Sequence, residues 1–283
     1  MLLRSALTAL CLLVASAAGA EERTADSDPD AIADLRVARG QGDIAETWLI
    51  APTTRYRHFV LGSQYEAGGL RVRLRDGSVL TLMLDEQHVF EDRQPRLGDL
   101  DGDGRDEIAL VLSSVREGAS LAVYGIEDGA LRRKAKTPFI GQSNRWLNPA
   151  PLADFNGDGR LDVAFVAMPH LVKRLDLWTM DGGQLRRIAS TGDVSNHRLG
   201  STHIGMTAIG DFDGDGVTDI AAPDGDRAVL RLISFAGGEP REIGRLPLDG
   251  RADGAISVRQ KGGAWVFEVP LEGGTTRQLA FPG

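Results

Sequence analysis

A nine-residue acidic run occurs three times in this chain, and it constrains the fold more than any other feature. The copies read Asp99-Leu-Asp101-Gly-Asp103-Gly-Arg105-Asp-Glu107, Asp154-Phe-Asn156-Gly-Asp158-Gly-Arg160-Leu-Asp162 and Asp211-Phe-Asp213-Gly-Asp215-Gly-Val217-Thr-Asp219. Each places oxygen-bearing side chains at its first, third, fifth and ninth positions around two glycines. Two carboxylates about 4 Å apart repel by roughly 4 kcal/mol at an effective dielectric of about 20, so such a cluster calls for a cation. Calcium takes about 6–8 hard oxygen ligands on a tightly turned backbone, which suits this pattern. An EF-hand is excluded, because its twelfth position is an acid, whereas here that position holds Leu110, Phe165 and Ala222.

Each run passes into a short apolar, partly β-branched stretch: Glu107–Leu112, Asp162–Ala167 and Asp219–Ala222. Such lengths, bounded by Gly, Pro and Ser, favour strands over helices. The ion is therefore expected in a hairpin-like turn, with the carbonyls of Arg105, Arg160 and Val217 as further ligands. The second run, with Asn156 in place of a carboxylate, is expected to hold its ion least tightly. These residues resemble the FG-GAP, or VCBS, repeat, whose loop runs D-x-D-G-D-G-x-x-D before a strand. Asn156 and Glu107 are the departures. The resemblance implies a β-propeller with structural calcium, as in integrin α-subunit heads and many secreted bacterial proteins, and implies no particular chemistry.

The acidic runs mark an internal repeat. The leading aspartates lie at 99, 154 and 211, which gives spacings of 55 and 57 residues. Strand patterns recur after each run, as in Leu121–Tyr124 and Leu175–Trp178, then a Gly turn, then Leu131–Arg133 and Leu185–Ile188. Weaker copies flank them. One follows a degenerate loop around residues 63–69, and the other follows Asp249–Gly254 and ends near Phe281. The expected fold is all-β: a small β-propeller of five blades over residues 34–283, with calcium-binding loops in three blades. Tyr124, Trp178 and Trp265 fall at equivalent strand positions and are expected to pack between blades. Residues 21–33 read as a flexible spacer. Leu35–Ala38 is expected to add a strand to the last blade and close the ring.

Residues 1–20 have the pattern of a secretory signal peptide: Arg4, an apolar core from Ala6 to Ala15, and Ala18-Gly19-Ala20 before Glu21. Periplasmic or secreted localisation follows as an expectation. The single cysteine, Cys11, lies in that apolar core, so the mature chain would carry no disulfide. No other segment approaches the roughly 20 apolar residues of a membrane span. Net charge is −8; three bound calcium ions would neutralise most of it. There is no basic stripe to suggest nucleic acid. A monomer is expected, with a protein or glycan as partner.

Loops carry function disproportionately. Three long ones precede the acidic runs or their degenerate counterpart: Thr54–Phe59, Gln142–Leu147 and Val194–Leu199. If the repeats are blades, Arg57, His58, Asn144, Arg145, Trp146, Asn196, His197, Arg198 and His203 converge on one face. Arg forks recognise carboxylate or phosphate, and aromatic rings stack on sugars or partner side chains. The leading expectation is a noncatalytic binding module. The alternative is an extracytoplasmic enzyme, carbohydrate-active, using the same Arg and His residues. Against it, the sequence carries no Gly-x-Ser-x-Gly, His-Glu-x-x-His or phosphate-cradling Gly-rich loop.

Overall fold

The computed structural model describes residues 25–32 and 34–282. The expected signal peptide lies outside them. The described chain is all-β: four antiparallel sheets, two short 3-10 turns and no α-helix. Accordingly, no helix among the described residues is long and apolar enough to cross a membrane.

The first sheet holds β1 (Ala38–Arg39), β2 (Ile44–Thr53), β3 (Glu66–Leu74), β4 (Val79–Met83), β5 (His88–Phe90), β6 (Arg96–Gly98), β7 (Glu107–Ser114), β8 (Gly118–Glu127) and β9 (Ala130–Lys136). It consists of two four-stranded units, β1–β4 and β6–β9, joined by β5, which pairs with both β3 and β7. The second sheet is β10 (Leu147–Pro149), β11 (Asp162–Ala167), β12 (Arg174–Asp181) and β13 (Gln184–Thr191). The third is β14 (Ala208–Gly210), β15 (Asp219–Pro223), β16 (Val229–Ser234) and β17 (Arg241–Pro247). The fourth has three strands, β18 (Ser257–Lys261), β19 (Ala264–Pro270) and β20 (Thr276–Pro282).

The acidic runs recur at the same place in three units. Each joins a three-residue strand (β6, β10 or β14) to a strand whose every residue is buried (β7, β11 or β15). A strand covered on both faces reads as a continuous apolar run rather than an alternation, which is why Ile108–Leu112 and Val163–Ala167 lack a period of two.

Four apolar clusters lie between successive units. One packs β2 and β3 against β7 and β8 through Leu70, Phe90, Leu110 and Tyr124. The next sets Val111 and Val123 against Val163 and Phe165. A third joins Leu177 to Ile220 and Phe235, and a fourth joins Phe212 and Leu232 to Phe267 and Val269. Among the described residues no such cluster joins β18–β20 back to β1–β4. Two of the three aromatic positions pack between units as expected: Tyr124 is edge-on to Phe90 and Trp265 is edge-on to Phe212, whereas Trp178 stacks on Phe165 of its own sheet.

Three expectations are corrected. Residues 25–32, read as a flexible spacer, are docked. Asp28 is 6 % exposed, accepts a 2.8 Å hydrogen bond from Trp48 Nε1 and pairs with Arg71. Ala31 bridges to Ile50. The acidic composition that suggested a spacer instead supplies the partner of a buried guanidinium. The segment expected to close the ring also goes elsewhere. Ala38 and Arg39 pair with Thr47 and Glu46 of β2, in the first sheet and not the last. The degenerate loop around residues 63–69 is likewise partly strand, since β3 starts at Glu66.

Asp28→Ala would leave the Arg71 side chain, only 8 % exposed, with the more exposed Asp30 as its one remaining carboxylate and Thr81 as a neutral partner. A loss of about 3 kcal/mol is expected in denaturant unfolding. A change within about 0.5 kcal/mol, typical of a surface substitution, would mean the segment is not docked.

Candidate metal centres and loop-face cleft

All three acidic turns use one hydrogen-bond scheme. The first aspartate curls back so that its two oxygens accept from the two glycine amides. The distances are 2.7 and 2.9 Å from Gly102 and Gly104 to Asp99, 2.7 and 2.7 Å from Gly157 and Gly159 to Asp154, and 2.8 and 3.0 Å from Gly214 and Gly216 to Asp211. All six glycines have φ between 76° and 88°, a region that L side chains rarely adopt. The fifth position caps the seventh: Asp103, Asp158 and Asp215 accept from the amides of Arg105, Arg160 and Val217. The ninth acid begins the buried strand and folds one oxygen back onto the amide of the second position. Glu107 takes Leu100, Asp162 takes Phe155 and Asp219 takes Phe212.

What the other oxygen of that ninth acid does is the informative point. Asp162 and Asp219 are fully buried, yet Oδ1 of each accepts no hydrogen bond. The Thr179 and Ser234 hydroxyls lie beside these carboxyls without aligning as donors to Oδ1. A buried acceptor without a partner is costly, and a charged one more so. Burial pushes both carboxyls up to about 6, against the pull of the Phe155 and Phe212 amides and of the Thr179 and Ser234 hydroxyls, and the neighbouring aspartates add to the rise. A cation placed among these oxygens would remove that cost. In the first and third turns the carboxylates themselves converge: oxygens of Asp99, Asp101 and Glu107, and of Asp211, Asp213 and Asp219, lie within 4.8 Å of one another. In the second turn the Asn156 carboxamide stands where they have Asp101 and Asp213. The donor set is hard oxygen throughout and fits calcium.

The FG-GAP-like repeat matches twice, over residues 99–165 and 154–222. Residues 99–222 are FG-GAP-like repeats. No curated protein matches the chain.

Outside the metal turns, the loops between the repeats meet at a cleft of about 280 Å³. It is lined by His58, Asn144, Arg145, Trp146, Met168, His170, Leu171 and Leu199. Four of the nine residues expected to converge do so: His58, Asn144, Arg145 and Trp146. His58 Nδ1 lies 2.6 Å from Oε1 of the fully buried Glu91, whose other oxygen accepts from Ser113 Oγ at 2.6 Å. Trp146 Nε1 donates to the Glu91 carbonyl at 2.9 Å, which fixes the indole as a wall of the cleft. The Asn144 amide donates to Tyr56 Oη at 2.8 Å, and Asn144 takes φ 55°, a turn conformation that Asn tolerates.

The other expected residues serve the scaffold or sit apart. Asn196 is buried and exchanges hydrogen bonds with Asn148 of β10, each side-chain amide donating to the other's backbone carbonyl. His197 is buried behind the cleft; its Nε2 faces the Ser201 carbonyl and so carries the proton, leaving Nδ1 to accept from His170 Nε2 at 3.0 Å. Burial holds His197 down to about 3 and His170 down to about 4. Arg198 pairs with Asp253 at 2.5 Å, and Arg57 and His203 are exposed outside the cleft lining. Sequence reasoning missed Glu91 and His170, which stand in no motif spacing. A larger groove of about 780 Å³ lies between the second and third units, floored by Phe165 and Trp178.

The metal turns set the sign of a pH effect. A folded-state pKa near 6 means that the metal-free fold takes up protons the unfolded chain does not, so its stability gains as pH falls through about 6. Calcium and protons then compete for the same oxygens. The difference in melting temperature between calcium and chelator is expected to be large at pH 7 and to shrink by pH 5. A difference independent of pH would contradict this account of Asp162 and Asp219.

Proposed function

We propose that this chain is an exported, calcium-stabilised β-propeller that acts as a noncatalytic binding module, with a protein or glycan held at the loop-face cleft. The observation that carries the metal part is the pair of fully buried carboxylate oxygens, on Asp162 and Asp219, that stand beside the Thr179 and Ser234 hydroxyls without an aligned hydrogen bond. Asp99, Asp101, Asp103 and Glu107, with their counterparts in the second and third turns, are the side-chain ligands in this reading. The carbonyls of Arg105, Arg160 and Val217 complete each set. Five units packed in series are the arrangement from which a five-bladed propeller is built. Calcium-rich compartments outside the cytoplasm suit such turns, and the N-terminal pattern of the sequence supports export.

The cleft favours binding over catalysis. Arg145 and His58 supply positive or donor character beside the Trp146 ring, a combination that suits an acidic sugar or an acidic peptide side chain. The His58–Glu91 pair resembles an oriented base, which is what the enzymatic alternative has in its favour. No Ser, Thr or Cys lines the cleft to act with it.

Two measurements test this reading. Binding to the folded state alone stabilises by about 2.7 kcal/mol per site at 100 Kd. Chelator should therefore lower the melting temperature markedly, and calcium should restore it better than magnesium, which keeps its waters and demands near-ideal octahedra. Indifference to chelator in a metal-free preparation would refute calcium binding. In calcium, uronic-acid oligosaccharides and acidic peptides should raise the melting temperature of the native chain and lose at least about tenfold in affinity, roughly 1.4 kcal/mol, with Arg145→Ala. Equal binding by the variant would move the ligand site away from the cleft.

A further inference from the structure

The first turn differs from the other two in one respect that the sequence pattern conceals. Its ninth acid, Glu107, is as buried as Asp162 and Asp219, but its inner oxygen is not orphaned. Lys134 Nζ reaches it at 2.9 Å, also contacts Asp101 Oδ2, and lies 3.8 Å from Asp103 Oδ2. The ammonium group thus sits among the oxygens of three of the four acids at the first, third, fifth and ninth positions of that turn. The Lys134 side chain is only 16 % exposed.

The strand register shows that this is a substitution at an equivalent position. In each of the three units the fourth strand carries a bulge against the third. Tyr124 pairs with Arg133 and Val123 with Ala135, so Lys134 is the extra residue. Trp178 pairs with Arg187 and Leu177 with Ala189, which leaves Ile188. Ile233 pairs with Glu242 and Leu232 with Gly244, which leaves Ile243. A bulge re-aims one side chain out of the alternation. In the units that hold the second and third turns that side chain is an isoleucine packed on the apolar clusters, and the turn carboxylate beside it keeps an unpartnered oxygen. In the unit that holds the first turn it is a lysine, and the oxygen is satisfied.

A second position changes in concert. The residue after Tyr124 is Gly125, where the other units have Thr179 and Ser234. A Cβ at Gly125 would lie 2.5 Å from Lys134 Cδ and 3.5 Å from Glu107 Oε1. The glycine therefore makes the channel through which the lysine stem reaches the turn. The arginines at the other turns are not equivalent. Arg241 is 59 % exposed and touches Asp213 at 2.7 Å, while Arg160 touches Asp158 at 3.3 Å. Neither reaches the buried ninth acid.

We propose that Lys134 is a tethered cation occupying the calcium position of the first turn. The chain then takes up two calcium ions with high affinity, in the second and third turns. The first turn is held by its own ammonium group and keeps its form when calcium is withdrawn. This rests on the calcium reading of the second and third turns, replaces calcium by Lys134 among the ligands assigned to the first, and reverses the ranking expected from sequence, in which Asn156 made the second turn weakest.

Calorimetric titration of metal-free chain with calcium tests it. The native chain should bind two ions and Lys134→Met should bind three, since methionine keeps the stem and removes the charge. Because the metal-free variant leaves Glu107 without its partner and is at risk of misfolding, it is prepared in calcium and read by bound-metal analysis after desalting. The converse variant, Thr179→Gly with Ile188→Lys, should lower the native stoichiometry from two to one. Three ions of comparable affinity in the native chain, or two in both the native chain and Lys134→Met, would overturn the proposal while leaving calcium binding intact. No calcium bound by either protein would overturn the calcium reading and this proposal together.

Discussion

A carboxylate at the head of a fully buried strand is the constraint on which the rest of this structure depends. Glu107, Asp162 and Asp219 each start the strand that both neighbouring units cover. One oxygen ties the turn shut by accepting the amide of the second position. The other faces the remaining acids of the turn. Burial of that charge without compensation would oppose the packing that buries it. The turn, the strand and the inter-unit core are therefore coupled, and a cation at the turn stabilises all three together.

This coupling explains an economy in the fold. The chain has no helices among its described residues to cover its sheets, and its one cysteine lies outside them. Each unit buries its apolar faces only against its neighbours, as repeat architectures do. Irregular turns at the strand starts would be the weak points of such a stack. Here each is closed by two amide bonds to the leading aspartate, with glycines at positive φ supplying the curvature. The loop-face cleft is built on the same frame. Trp146 immediately precedes the second sheet, and Met168 follows the buried strand β11. The cleft is thus attached to the metal turns directly through the strands β10 and β11.

Much of this was legible in sequence, for physical reasons. The acidic runs fix ligand chemistry, turn conformation and strand start at once, because few residues other than Gly accept the required φ. The aromatic positions Tyr124, Trp178 and Trp265 could be aligned because the same strand recurs. Short strands such as β6, β10 and β14 escaped notice, since three residues carry no detectable period. The strand Ile44–Thr53 was also missed, although Trp48-Leu-Ile-Ala51 is apolar enough to mark it. The N-terminal segment misled by composition: Asp28 looked like part of a solvated tail and proved to be the partner of Arg71. In the cleft, Arg and His were overread. Asn196, His197 and Arg198 satisfy loop backbone and neighbouring side chains, whereas Glu91 and His170 gave no signal, because contacts between distant loops leave no trace in local spacing. Lys134 belongs to the same class, since only the register of β8 on β9 shows which residue it replaces.

The most direct test of the account is a crystal structure of the mature chain grown in calcium, with the ions located by anomalous scattering. The account predicts one ion in the second turn, coordinated by Asp162 Oδ1, and one in the third, coordinated by Asp219 Oδ1, with Lys134 Nζ seated in the first. Turns that keep their fold with no ion near Asp162 or Asp219 would contradict it, because those buried carboxylates would then stand without the cation on which the argument depends.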